Sequence, residues 1–219
     1  MQAAKTARWL SASSSRFQAV AFRESACTSA PKTWEQRKLG DFFKESDEKN
    51  ASLEFGVERT ISVASMRWNP AGNGAAKESL SGYKILRLGD LAFEGNRTKG
   101  NPYGKLVIND IGPGIMSSRF RTMSAISSPC IGFWKYYLTV DGVFRKIYIN
   151  STKRGTLMTE LVVDELLSNS VKVPPSSEQA CIGALFSKLD SLITLHQREL
   201  IDAHSGKMSL TEVARTHLV

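Results

Sequence analysis

The sequence predicts an α+β fold: a single domain of short strands and loops, followed by a long, coiled-coil-like C-terminal helix. Three observations predict it. Short apolar runs bounded by Gly, Pro, Asn and Asp recur from Trp34 to Val173, the pattern of strands and turns. One aromatic-rich stretch, Phe133 to Ile149, has helical rather than alternating spacing. After Pro174-Pro175, Ile182, Phe186, Leu189, Ile193, His196 and Leu200 recur at 4-3-4-3-4, the a/d pattern of a coiled-coil seam. Many short strands around one helix, without a regular βαβ repeat, make the class α+β.

Composition sets the frame. The 219 residues suffice for one domain with its own core plus an attached element. Hydrophobic residues at 42% and charged residues at 23% are those of an ordinary globular chain. Cys27, Cys130 and Cys181 are odd in number and lack ligand spacing. Neither a disulfide framework nor a structural zinc site is expected, and a reducing cytoplasm is the simplest compartment. No stretch approaches the roughly 18 apolar residues of a membrane span. The charge is unevenly placed. Of the formal net +8, the block from Lys77 to Arg154 holds 13 Lys/Arg against 5 Asp/Glu and so carries the whole surplus. Such a block is either a polyanion-binding module on a neutral scaffold or a solvated basic surface.

Residues 1–30 are rich in Ala, Ser and Arg, with Trp9, Leu10, Phe17 and Phe22 scattered among them. They read as a poorly ordered extension, with an organelle-targeting peptide as the alternative. The domain is expected over 31–175. Trp34 to Phe43 supplies a strand and a short helix around Gly40-Asp41. Asp47 to Asn50 is a loop, Ile61 to Ala64 a short strand, and Trp68 to Gly74 an exposed excursion. Tyr83 to Leu88 alternates as a strand ending on Gly89-Asp90, and Leu91 to Phe93 opens another. Leu106 to Ile108 follows the polar run from Glu94 to Lys105. The turn-rich Asn109-Asp110-Ile111-Gly112-Pro113-Gly114 leads through Met116 to Arg119-Phe120-Arg121. Phe133, Tyr136, Tyr137, Val140, Phe144 and Ile147 share one face of a helix, with a kink expected near Gly142. Asn150 to Thr156 reads as a polar turn, Leu161 to Leu167 as an apolar run, and Val171 to Val173 as the last strand.

Ser176 and Gln179 have the spacing of a capping box. The helix they open is expected over 176–204, on the order of 40 Å long at about 1.5 Å per residue. Ser205-Gly206 should end it, leaving a weakly patterned tail over 205–219. Leu185 and Leu192 widen the apolar stripe. An isolated stripe of that length needs cover, either from an intermolecular or inter-domain seam or from the helix's own domain.

Catalytic motifs are missing. His196, His204 and His217 come late, and His196 falls on the stripe. Asn101-Pro102-Tyr103 lacks the second proline of an amino-methyltransferase loop, and no glycine motif for a methyl donor accompanies it. Ser205-Gly206-Lys207 lacks the lead-in of a phosphate loop. No carboxylate cluster with a nearby lysine suggests a metal-dependent nuclease. The chain is therefore expected to be non-catalytic, with no metal and no cofactor of its own.

Nucleic-acid candidates are present. Arg97, Lys99, Arg119, Arg121, Lys153 and Arg154 lie at or beside turns within the basic block, where long side chains reach phosphates or base edges. Asn96 and Asn101 match adenine, and arginines match guanine, through paired hydrogen bonds. Thr152 and Thr156 suit phosphate oxygens. No helix-turn-helix, zinc-finger or basic-zipper pattern is present, so readout would come from loops.

These residues resemble the DNA-specificity subunit of a type I restriction-modification enzyme. The resemblance rests on Trp34-Glu35-Gln36-Arg37-Lys38-Leu39-Gly40-Asp41, on Tyr83-Lys84-Ile85 with Gly89-Asp90, and on the helix. In that helix, Glu178-Gln179, Ile182-Gly183, Phe186, Leu189-Asp190 and Ile193 to Arg198 stand where the family has them. Asn109 to Gly112 and Ser151 to Thr156 resemble one variant of its target-recognition domain. Family members usually carry two such domains and two helices; this chain has one of each. It reads as a half-subunit or as a truncated gene product. The resemblance implies a partner set of double-stranded DNA, methyltransferase subunits docked on the helix, restriction subunits further out, and a second copy through the helix. Methyl donor, magnesium and ATP would belong to those partners.

Overall fold

The computed structural model describes residues 33–72, 77–156 and 158–216; the extension expected over 1–30 lies outside them. In chain order these residues form β1 (Glu35–Lys38), β2 (Phe43–Ser46), β3 (Ile61–Ser62), β4 (Arg67–Trp68), β5 (Lys84–Leu86), β6 (Leu91–Glu94), β7 (Lys105–Ile108), β8 (Gly114–Met116) and β9 (Arg121–Ala125). They continue through α1 (Ile131–Tyr137), α2 (Asp141–Ser151), β10 (Thr152–Arg154), β11 (Thr159–Leu161), α3 (Val163–Ser168) and β12 (Ser170–Val173) to α4 (Ser176–Thr216). The fold is α+β, with short strands and one long C-terminal helix.

The central sheet is antiparallel, in the order β2-β9-β6-β7, and β1 pairs with β12 so that Glu35 stands opposite Val173. That pairing ties the start of the domain to the strand feeding the long helix. Successive side chains of a strand alternate between faces, and β6 shows the consequence. Leu91 and Phe93 join the main core with Phe43, Leu106, Met123, Phe133, Trp134 and Phe144. Ala92, between them, joins a second core with Ile61, Leu86, Met116 and Phe120. The sheet is thus covered on both sides, which is why all four residues of β6 are buried. β5 is likewise buried at all three positions rather than alternating in exposure.

Two polar side chains hold the turns. Asn109 is fully buried; its Nδ2 donates to the carbonyls of Leu86, Arg87 and Gly112 at 2.8–3.0 Å, and its Oδ1 accepts from the backbone of Ile111 and Gly112. Asn50 does the same work between Phe55 and Leu80.

Several local expectations need correction. Trp68 is not on an exposed excursion: it sits in β4, packs against the second core, and carries the Arg59 guanidinium 4.4 Å above its ring. The stretch from Phe133 to Ile149 is two helices, and the break comes at Leu138-Thr139-Val140, before Gly142. Tyr137 enters the main core, its neighbour Tyr136 faces Phe186, and Val140, at the break, is 44% exposed. Asn150 to Thr156 is no free turn, since α2 runs directly into β10. The run Leu161 to Leu167 divides between β11 and α3. Gln179 does not close a capping box: its Nε2 donates to the Pro174 carbonyl at 2.9 Å. The long helix also runs on through Ser205-Gly206 to Thr216, because a single helical glycine costs only about 1 kcal/mol. Cys130 is a free, half-buried thiol.

Candidate nucleic-acid interface

The polypeptide brings parts of the basic block together through one close approach. Gly95 follows β6, and Thr159 of β11 donates its N–H to the Gly95 carbonyl at 2.9 Å. A Cβ on Gly95 would stand 2.3 Å from the Thr159 oxygen, so only glycine admits this contact. It presses the loop after β6 against the β10–β11 hairpin. A cleft of about 350 Å³ forms there, lined by Arg97, Tyr103, Thr152, Lys153 and Arg154. A larger cleft of about 730 Å³ adjoins the same hairpin, lined by Glu45, Lys84, Arg119, Arg121, Lys153 and Glu160, among others. Lys153 reaches both.

Arg97, Arg119, Arg121, Lys153 and Arg154 are all exposed. Arg121 opens β9 opposite Phe93, with its Nη1 3.6 Å from Glu45 Oε1. Arg119 lies over the Phe120 ring at 4.8 Å. Thr152 is half-buried and donates its hydroxyl to the Tyr148 carbonyl at 2.6 Å. Asn96, Lys99 and Thr156 are exposed but line neither cleft. Asn101 faces a separate groove of about 720 Å³ beside Lys105, Lys135 and Arg145. The ten candidates therefore divide, with six around the paired clefts and four outside them.

Sequence reasoning missed three residues of the larger cleft and its rim: Lys84, Glu45 and Asp47. Lys84 is 6% exposed, and its Nζ lies 2.8 Å from Asp47 Oδ1. The lysine's hydrogen bond holds the Asp47 carboxyl below its ordinary value. Lys84 lies on a buried strand, and no sequence signal separates it from the exposed cations.

At the root of the long helix, Trp34 Nε1 donates to Glu178 Oε1 at 3.0 Å. Ile182 packs against the main core, and the Phe186 ring stacks on Tyr136 at 4.2 Å. The Tyr136 hydroxyl donates to Asp190, and burial with this bond pushes that hydroxyl up to about 12. Lys135 bridges Asp110 at 2.9 Å and lies 3.9 Å from Asp190. Beyond this root the stripe is uncovered: Leu189 is 43%, Ile193 55% and Leu200 71% exposed, with Leu185 and Leu192 alongside. His196 lies 3.4 Å from Glu199 on this exposed stretch. The helix's own domain thus covers the root of the stripe and leaves the rest exposed among the described residues.

Among the described residues, no group of His, Cys, Asp and Glu is placed to hold a metal ion, and no helix is long and apolar enough to cross a membrane. No protein-family model and no curated protein matches the chain. Two solved structures resemble it in fold. One comes from work on complex assembly and conformational transition of the type I R-M system, at 17% identity and a TM-score of 0.47, covering 80% of this chain and 47% of that one. The other is the HsdS subunit from Thermoanaerobacter tengcongensis, at 19% identity and a TM-score of 0.48, covering 80% of this chain and 46% of that one. The chain thus spans about half the length of either.

Proposed function

We propose that residues 33–173 recognise double-stranded DNA and that α4 spaces and docks this domain as the specificity subunit, or half-subunit, of a cytoplasmic type I restriction-modification complex. The observation that carries the reading is the convergence of Arg97, Arg119, Arg121, Lys153 and Arg154 on two clefts that share Lys153, in the block that holds the chain's whole surplus of charge. A duplex laid across the β10–β11 hairpin meets the cations of both clefts, which is what a phosphate backbone requires. The chain itself catalyses nothing in this reading; methyltransferase subunits dock on α4, and restriction subunits join through them.

One recognition domain reads one half of a bipartite site, and a second copy of the chain supplies the other. The exposed stripe from Leu185 to Leu200 suits a two-fold seam, the commonest arrangement of self-complementary surfaces. The same stripe favours a second reading, a protein-interaction module that docks the methyltransferase without reading DNA. Mobility shift against random duplex across a salt series separates them. The DNA reading expects binding that weakens steeply as salt rises, because phosphate contacts release counterions. No binding at low salt leaves the interaction module.

A further inference from the structure

The cations of the larger cleft are not equivalent, because carboxylates accompany some of them and not others. Lys84 is buried and held by Asp47 at 2.8 Å, so it belongs to the framework. Arg119 and Lys153 are exposed and have no ion-pair partner among the described residues. Arg121 differs from both: it is exposed, and Glu45 stands 3.6 Å away on the neighbouring strand. Resting on the DNA reading above, we infer that Arg121 reads a guanine edge, that Glu45 is the residue that restricts it to that task, and that Arg119 and Lys153 hold phosphates.

The argument is electrostatic. A phosphate approaching Arg121 also approaches Glu45, and like charges a few ångströms apart repel. A guanine edge offers O6 and N7 acceptors without net charge, so it meets the guanidinium fork with little penalty from the carboxylate. Glu45 therefore leaves the base contact open while disfavouring the phosphate contact. The pair is also mounted for precision, since both residues lie on adjacent strands of the central sheet, Glu45 on β2 and Arg121 at the start of β9. Arg119 and Lys153 form no such pair among the described residues, although Glu160 stands opposite Lys153 in the hairpin, and both stay open to phosphates.

The test uses the full chain with two probes: a random-sequence duplex, and the duplex recovered from a randomised pool by selection with the wild-type chain. Glu45→Gln removes the charge and keeps the shape. It should tighten binding to the random duplex and steepen its salt dependence by about 0.9 in log–log slope, the mark of one added phosphate contact. Arg121→Lys keeps the charge and removes the fork. It should leave random-duplex affinity within about twofold and weaken the selected duplex by about tenfold or more. Lys153→Ala should weaken both duplexes equally. Unchanged binding in Glu45→Gln, or equal losses on both duplexes in Arg121→Lys, overturns the assignment alone. Failure of the wild-type chain to bind any duplex overturns the DNA reading, and the assignment with it. All three substitutions fall on exposed side chains, and thermal melts matching wild type confirm that the fold is intact.

Discussion

Gly132 of α1 and Gly183 of α4 meet backbone to backbone: a Cβ on Gly183 would stand 3.0 Å from the Gly132 carbonyl carbon and from the Phe133 nitrogen. This contact lets the long helix lie directly on α1 and brings Phe186 over Tyr136. Gly183→Leu should force the helices apart, at a cost of about 1–3 kcal/mol from overpacking. Gly183→Ala should cost less, because alanine returns about 1 kcal/mol of helix propensity. Urea unfolding of the two variants checks the order.

Asn109→Ala should be among the most damaging substitutions in the domain. It removes the bond to the buried Leu86 carbonyl and the part-buried bonds to the Arg87 and Gly112 carbonyls and from the Ile111 and Gly112 N–H groups. Each buried group left unpaired costs about 1–3 kcal/mol, so a loss above about 2 kcal/mol is expected in the same urea assay.

The Asp47–Lys84 pair makes stability depend on acidity with a defined sign. The Asp47 carboxyl titrates below its ordinary value of 3.8, chiefly through its hydrogen bond from Lys84. Its contribution is therefore complete above 3.8 and disappears as pH falls through the lowered folded value. Asp47→Asn leaves Lys84 buried without its carboxylate and should destabilise the fold at neutral pH by about 1 kcal/mol, a figure kept small because Asp47 itself is exposed. Melts from pH 7 down to about 2 should show the gap between variant and wild type closing on the acid side.

Leu189→Glu tests the seam. Leu189 is 43% exposed in the single chain, so the recognition domain should keep its structure and melting behaviour. In a two-fold pair the substitution buries an unpaired charge, at a cost of a few (about 2–4) kcal/mol, and should both dissociate the pair and abolish methyltransferase recruitment. Light scattering over a range of concentrations reads the mass; a wild-type chain that is monomeric throughout, with or without DNA, removes the dimer from the proposal.

Arg97→Ala tests the smaller cleft. Arg97 is exposed and lines that cleft beside Lys153 and Arg154. As a phosphate contact it should weaken every duplex alike and lower the salt slope by about 0.9. A loss of about 1–3 kcal/mol confined to the selected duplex would mark it as a base reader instead.

The amino-acid sequence by itself determined the α+β class, most strand positions, the start of the long helix after Pro174-Pro175, and the block in which the positive charge lies. These are properties of neighbouring residues: alternation, helical spacing, proline breaks and charge counts all act within a few positions of the chain. Tertiary structure alone decided which residues meet. The single helix expected over Phe133 to Ile149 is two, divided at Leu138-Thr139-Val140, and both send aromatics into one core while Tyr136 faces Phe186. The apolar stripe looked uniform along its length, yet Ile182 and Phe186 are covered by their own domain while Leu189 to Leu200 stand free. Lys84, Arg119 and Arg121 are equally basic in sequence, and only the folded chain sets Asp47 against the first, Glu45 against the third and, among the described residues, nothing ionic against the second. Each of these differences comes from contacts between residues far apart in the chain. Local patterning carries no information about such contacts, because they depend on how the strands are ordered in the sheet and on where two glycines let the helices cross.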